Sequence, residues 1–114
     1  MGRFTYENSV KVDFEDRLLF HLQTVIGTKL RRGEPFFLSW RDSPGLGDGR
    51  TTVWLHSGCA MSFKYYGSRQ PQLNRLWLEA LAHTANQLSG LYAVPEPGAD
   101  SAAAHHIDLS AALY

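Results

Sequence analysis

Three apolar stretches decide the fold of this chain: residues 35–41 read PFFLSWR, residues 50–56 read RTTVWLH and residues 61–66 read MSFKYY. Each stretch is rich in the β-branched and aromatic residues that favour strands. An ordinary half-buried strand alternates apolar residues with bland polar ones. Here the polar positions also carry Trp, Tyr, Arg and Lys, so a face expected to meet water has the composition of a binding surface.

Alternation along the three predicted strands sorts their side chains into two faces. The face expected against the helices contains Phe36, Leu38, Trp40, Val53, Leu55, Met61, Phe63 and Tyr65. The opposite, open face contains Phe37, Ser39, Arg41, Arg50, Thr52, Trp54, His56, Ser62, Lys64 and Tyr66. This open face is continuous if the strands pair in chain order as a meander. A slip of one residue would move a strand's side chains to the other face.

The open face has three interpretations. Aromatic rings can stack on unpaired bases while cations meet phosphates, which predicts a nucleic-acid site. The same residue types are enriched at protein interfaces, which predicts a protein partner or a homodimer, with the acidic C-terminal segment docking on a basic neighbour. In the third interpretation, the rings are cross-strand pairs that stabilise the sheet beneath the C-terminal tail. The residues assigned to binding are Phe37, Arg41, Arg50, Trp54, His56, Lys64, Tyr66 and Arg69.

Two strands and a helix are predicted before these stretches. Residues 3–6 and 10–14 alternate in hydropathy around a turn at residues 7–9, which indicates a β-hairpin. A helix is expected from residue 14 or 15 to about Arg32, with Asp13 as its N-cap and Gly33 as its left-handed stop. Its apolar stripe consists of Leu18, Leu19, Leu22, Val25, Ile26 and Leu30.

A second helix is predicted over residues 72–88, with the stripe Leu73, Trp77, Ala80, Leu81, Thr84 and Leu88. Residues 91–94 are consistent with a last short strand. The order is therefore ββα-βββα, an α+β domain with both helices on one face of an antiparallel sheet. The expected domain covers residues 1–94, and the Pro-, Gly- and Ala-rich residues 95–114 are expected to form a C-terminal tail.

Composition limits the class of protein. A length of 114 residues and an apolar fraction of 44% suit one globular domain, and the lone Cys59 fits a reducing, cytoplasmic setting. No signal core or membrane-spanning run is present in the sequence, so no membrane partner is expected. The net charge is zero, but residues 29–75 carry +5, residues 76–114 carry −4 and residues 1–28 carry −1. Such a charge dipole can steer an acidic partner to one side.

Catalytic and metal-binding chemistry is present only in fragments. His21 and His83 are expected at the surface or boundary of their helices, and adjacent His105 and His106 lack a fixed metal geometry. Cys59, three residues after His56, is expected to be an inert turn residue. The glycine-rich residues 45–49 lack the Lys and Ser/Thr of a phosphate loop. No catalytic residue, metal or cofactor is therefore predicted.

Most of residues 1–97 resembles a family of short, functionally uncharacterised actinobacterial proteins, many of which carry the label ATP-dependent DNA ligase. The matching segments are residues 4–6, 25–34, 37–42, 47–50, 52–56, 67–69, 73–75 and 92–97. The label implies a link to DNA joining. A nucleotidyltransferase ligase attacks ATP with the Lys of a Lys-x-Asp-Gly-x-Arg motif, whereas this chain has Leu46 at that position and Arg50 one residue too early. The sequence therefore predicts a small non-enzymatic binding module, and the ligase label implies at most an accessory or DNA-binding role.

Overall fold

The computed structural model describes residues 1–42, 45, 47 and 49–98. The elements follow in the order β1 (Gly2–Tyr6), β2 (Val10–Phe14), α1 (Asp16–Arg31), β3 (Phe36–Arg41), β4 (Arg50–Leu55), β5 (Met61–Tyr65) and α2 (Arg75–Ala85). The predicted α+β class and the ββα-βββα order are confirmed. Within the described residues, no helix combines the length and hydropathy needed to cross a membrane.

The strands form two antiparallel sheets instead of one meander. One sheet has the order β2-β1-β5 and the other pairs β3 with β4. The expected neighbour of β4 was β5, but β5 leaves the turn at residues 56–60 and pairs with β1, with Phe4 opposite Phe63. Their rings lie 5.2 Å apart between centroids. The pairing therefore buries two aromatic residues against each other, a long-range gain that alternation within each strand does not reveal.

The core lies between these sheets and the two helices. The predicted helix-facing set is confirmed, since each of its members is buried or packs partly buried against the core. Phe4 contacts Trp40 edge to face across the two sheets, with ring centroids 6.4 Å apart. The hydroxyl of Tyr6 also donates to the backbone oxygen of Trp54 at 2.6 Å. The two sheets are thus joined by both an apolar and a polar contact.

Helix α1 begins later than predicted. Its N-cap is Glu15, whose side chain forms no capping hydrogen bond. Asp13 was expected to be the cap, but it lies opposite Arg3 on β1 and accepts a hydrogen bond from the Arg3 Nε at 2.8 Å. A cross-strand charge pair thus replaces the cap. The helix ends as predicted before Gly33, which has a φ of 72°.

Helix α2 is shorter than the predicted 72–88. The side-chain oxygen of Asn74 accepts from the backbone N–H groups of Leu76 and Trp77, and this cap fixes the start at Arg75. Both predicted ends of the stripe are wrong, because Leu73 and Leu88 are exposed. The buried face of the helix consists of Trp77, Leu78, Glu79, Leu81, Ala82, Thr84 and Ala85.

The chain after α2 packs against the domain. Leu91 forms an isolated parallel bridge with Leu38, which is the only strand-like pairing of the predicted residues 91–94 within the part of the chain that is described. Glu96 accepts two hydrogen bonds from Arg17, at 2.8 and 2.6 Å. Packing thus continues past residue 94 to the beginning of the segment assigned to the tail. The predictions for residues 99–114, including the roof over the sheet, lie outside the described residues.

Candidate binding surface

The outer face of β3 and β4 carries an exposed pair of aromatic rings. Phe37 lies opposite Trp54 in the strand register, and their rings meet edge to face with centroids 4.8 Å apart. The two side chains remain 42% and 44% exposed. Such a pair stabilises the hairpin by about 0.5–1.5 kcal/mol beyond its buried area. The accessible ring surfaces leave room for a further stacking partner.

Two arginines occupy the other end of the same face. Arg41 lies directly opposite Arg50, and both are exposed. Between them and the aromatic pair, the hydroxyls of Ser39 and Thr52 share a hydrogen bond of 2.9 Å. In the part of the chain that is described, neither guanidinium lies within ion-pair distance of a carboxylate. The face is therefore aromatic at one end and positively charged at the other.

Tyr92 extends this face beyond β3. Leu91 is fully buried beside Leu38, so the next residue points to the opposite, outer side, and Tyr92 is 42% exposed. Gly90 makes this approach possible because a Cβ at this position would clash with the backbone oxygen of Phe37. Tyr92 was not among the site residues predicted from the sequence. The alternation of residues 91–94 was the available signal, but only the contact with β3 places the ring.

We call this surface the β3–β4 face, and it comprises Phe37, Ser39, Arg41, Arg50, Thr52, Trp54 and Tyr92. Ser39 is itself buried, so it supports the face instead of being accessible on it.

The predicted site residues on β5 belong to a different surface. Lys64 lies opposite Arg3 in the sheet β2-β1-β5, and Tyr66 follows the end of that strand. The Lys64 amino group lies 5.9 Å from the centre of the Tyr66 ring, and the guanidinium of Arg3 is paired with Asp13. The hydrogen bond from Arg3 lowers the pKa of the Asp13 carboxyl. The cations here have partners, whereas no carboxylate of the described residues lies within ion-pair distance of the two arginines of the β3–β4 face.

Arg69 lies apart from both surfaces, at an open pocket of about 330 Å³. The lining includes Asp16, Gln23 and Tyr65, whose hydroxyl donates to the Gln23 Oε1 at 2.6 Å. Burial raises the pKa of Tyr65 to about 12, so this phenol stays protonated. Asp16 Oδ2 accepts from the Gly67 N–H, while its buried Oδ1 has no hydrogen-bond partner in the described residues and sits beside Gly2.

His56 and Cys59 lie in the turn between β4 and β5. The His56 Nδ1 accepts the Gly58 N–H at 3.1 Å, and the Cys59 Sγ donates to the His56 backbone oxygen at 3.0 Å. The ring nitrogen nearest the turn is therefore occupied by backbone and is not directed at the thiol. His56 is half-buried beyond the end of β4, next to the β3–β4 face but outside its paired positions.

His21 is fully buried, contrary to the surface or boundary position expected for it. Its Nε2 accepts the Asn74 backbone N–H at 2.8 Å, which requires that Nδ1 carries the proton and donates to the Arg17 oxygen at 2.7 Å. The ring also lies 4.5 Å from that of Trp77. Burial lowers the pKa of His21 and favours this neutral form. Both ring nitrogens have backbone partners, so the residue has a structural role.

No metal site is recognisable among the described residues, since no group of three or more His, Cys, Asp or Glu side chains converges there. The prediction for His105 and His106 lies outside the described residues.

Comparison with known proteins places the chain in a family. Residues 1–96 match the family described as Domain of unknown function (DUF7882), and the chain belongs to it. No curated protein matches the chain. No solved structure matches it either. The matched residues include every helix and strand described above, and the family description assigns no activity to them.

Proposed function

We propose that this protein is a small, cytoplasmic, non-enzymatic module that binds single-stranded nucleic acid through the β3–β4 face. The observation that carries the proposal is the pair Arg41 and Arg50, which lie opposite each other on the face whose other end carries the exposed rings of Phe37 and Trp54. In this proposal the arginines bind phosphates, while Trp54, Phe37 and Tyr92 stack on bases.

The charge arrangement supports an anionic partner. The Phe37 C=O and the Ser39 N–H bond to Leu91, on the side of β3 that faces away from β4. The pair Arg41 and Arg50, which belongs to the same alternate set of residues, is therefore a non-hydrogen-bonded pair of the β3–β4 ladder. Side chains in such pairs are the closest across a ladder, and like charges placed there are destabilising. A phosphate between Arg41 and Arg50 would relieve that repulsion.

The geometry also sets the expected size of the ligand. Phe37 and Arg41 are four residues apart on one strand, which corresponds to about 13 Å. A short segment of a few nucleotides spans that distance, and an unpaired strand presents both its bases and its phosphates to one face. The ligand class that fits is therefore a single strand bound without a base-specific code.

Fluorescence anisotropy with a labelled single-stranded oligonucleotide, measured over a salt series, tests the proposal. Trp54→Ala should weaken binding by about 1–3 kcal/mol through the loss of a stacked base. The double variant Arg41→Ala/Arg50→Ala should also flatten the salt dependence, by roughly 0.7 in log–log slope for each lost phosphate contact.

The matched control is the pair Lys64→Ala and Tyr66→Ala, which removes a basic and an aromatic side chain from the other sheet. We expect little change in affinity from these variants, because both residues lie at β5, in the sheet β2-β1-β5, and not on the β3–β4 face. Absence of binding at low salt, or an unchanged salt slope in the double arginine variant, would refute the proposal.

An interaction with protein remains the second candidate function. The observation that favours it is the outer edge of β4, which pairs with no other strand of the described residues, since an open strand edge is a template for pairing with another chain. A protein partner of this kind would use the backbone of β4 as well as its side chains.

The resemblance to actinobacterial proteins labelled as ligases suggests a context for the nucleic-acid proposal. Leu46 replaces the lysine that a ligase adenylates, so we propose no ligation by this chain. An accessory role in DNA joining would require that it binds single-stranded DNA, and the anisotropy experiment with DNA and RNA strands of equal sequence tests this point.

A further inference from the structure

Strand β4 has an outer edge without a backbone partner in the described residues. β3 occupies one side of β4, and no other strand in the described part of the chain is paired with it. The Ser39 N–H donates to the Leu91 oxygen at 2.9 Å, and the Leu91 N–H donates to the Phe37 oxygen at 2.8 Å. The backbone groups of Phe37 and Ser39 therefore point away from β4. By the register, the N–H and C=O groups of Trp54, Thr52 and Arg50 point away from β3 and form the edge.

A hydrogen bond of the Trp54 oxygen confirms that these backbone groups point away from β3. The Trp54 oxygen, which this register turns outward, accepts the hydroxyl of Tyr6. A carbonyl oxygen has two lone pairs, so one remains. Within the described residues, no backbone bond is formed by the N–H groups of Thr52 and Trp54 on this side.

The other strand edges carry charges that discourage pairing. β2 has Lys11 and Asp13 within the strand, and β5 has Lys64. Charged side chains, lysine above all, are a common protection of edge strands. In β4 the first residue, Arg50, is the charged one, and residues 51–55 are uncharged and have high strand propensity.

We propose that two copies of this chain pair antiparallel through their β4 edges, about a two-fold axis at Thr52. In this register the Thr52 residues of the two copies form a hydrogen-bonded pair. Arg50 then lies opposite Trp54 of the second copy, two residues from the Thr52 pair along the ladder. The interface is self-complementary, as a two-fold dimer requires.

The cross-pairing of Arg50 and Trp54 is the feature that selects this partner. Each exposed indole meets a guanidinium that has no carboxylate partner in the described residues, a favourable cation–π arrangement. Neither Arg50 faces the other Arg50. The result is a four-stranded sheet, β3-β4-β4-β3, in which both copies of the β3–β4 face are continuous. The interface is small, so we expect a weak dimer that depends on concentration.

The inference does not depend on nucleic-acid binding, since the pairing needs no ligand. Sedimentation velocity of the full chain without nucleic acid, over a roughly hundredfold concentration range, should show the mass rising from monomer to dimer. Thr52→Pro removes the central outward N–H without removing a bond to β3, and should abolish the dimer. Thr52→Val keeps the N–H and the branched shape, and should still dimerise.

A cysteine at the axis tests the register. In a Cys59→Ser background, Thr52→Cys should form a disulfide-linked dimer under mild oxidation, because only a residue on the two-fold axis meets itself at a suitable distance. Ser62→Cys, an exposed position on β5, should not. Three results would overturn the inference: a wild-type monomer at every concentration, a dimer that survives in folded Thr52→Pro, or no cross-link at Thr52→Cys above that at Ser62→Cys.

Discussion

At the residue scale, His21 connects α1 to the start of α2. Its imidazole accepts a hydrogen bond from the backbone of Asn74, and the same Asn74 caps α2 with its side-chain oxygen. The side-chain nitrogen of Asn74 donates to Glu96 at 2.9 Å, and Glu96 in turn accepts from Arg17. One buried ring thus positions a cap that also anchors the chain after α2.

We predict that His21→Phe is strongly destabilising. The phenyl ring fills most of the same volume, but it leaves the Asn74 N–H without its acceptor, while the Arg17 oxygen keeps its bond within α1. An unsatisfied buried group costs roughly 1–3 kcal/mol, so the free energy of unfolding should fall by about that amount. Urea denaturation followed by circular dichroism measures the change.

The control for this substitution is His83→Phe, on the exposed side of α2. It should change stability by no more than about 0.5 kcal/mol, as surface substitutions usually do. Equal effects of the two variants would contradict the structural role of His21.

At the scale of elements, the approach of residues 90–92 to β3 completes the β3–β4 face. Gly90 has a φ of 87°, a conformation that costs other residues energy, and its Cα leaves no room for a Cβ against Phe37. The bridge between Leu91 and Leu38 depends on this contact, and Tyr92 depends on the bridge for its position.

A series of Gly→Ala substitutions should separate the cost of the positive φ at Gly90 from the cost of the close contact with Phe37. Gly27→Ala, inside α1 with no atom near the new Cβ, should stabilise by about 0.5–1 kcal/mol. Gly33→Ala meets no steric contact but has a positive φ, so it should destabilise by roughly 1–2 kcal/mol. Gly90→Ala adds the clash with Phe37 and should be the most destabilising of the three.

Thermal unfolding ranks the three variants, and the intrinsic fluorescence of the aromatic residues in Gly90→Ala reports on the β3–β4 face. A Gly90→Ala variant as stable as Gly33→Ala would mean that the close contact with Phe37 is not a constraint.

At the scale of the whole molecule, the contacts that unite distant parts of the chain include titratable groups. Hydrogen bonds from Arg17 and Asn74 lower the pKa of Glu96 to about 2, and burial lowers the pKa of His21. In both cases the folded state binds a proton less readily than the unfolded chain does. Acidification should therefore favour unfolding in two successive ranges of pH.

We predict that the free energy of unfolding is highest above pH about 6.5, the ordinary pKa of histidine, and falls as the pH drops below it. The contribution of Glu96 is present above its ordinary pKa of 4.5 and should be lost as the pH falls toward about 2. Its size is moderated by solvent, since a third of this side chain is exposed.

Urea titrations from pH 8 to pH 3 measure the contributions of His21 and Glu96 to the free energy of unfolding. Glu96→Gln should lower stability at neutral pH and reduce the fall below pH 4.5, while the loss between about pH 6.5 and 5 should persist. A stability that stays constant from pH 8 to pH 5 would contradict the buried, neutral His21.

Much of the local structure follows from the sequence alone. The alternation in residues 36–41, 50–55 and 61–65 identified each strand and the side of it that is buried, because a strand's two faces are fixed by its own pleat. The helical stripe of α1 and the stop at Gly33 were likewise predicted from local spacing. The start of α2 was not, since the side chain of Asn74 caps the helix at Arg75 although the apolar pattern extends back to Leu73.

Only the tertiary structure decided which strands are neighbours, and with that the shape of the candidate site. Strand β5 joins β1, so Lys64 and Tyr66 leave the surface that Phe37, Trp54 and the two arginines share. Hydropathy alternation carries no information about the partner of a strand edge, which depends on long-range burial such as that of Phe4 against Phe63. The sequence alone therefore predicted the residue types of a binding surface. Contacts between distant parts of the chain decided which of these residues share a face, where Tyr92 lies and which edge of β4 pairs with β3.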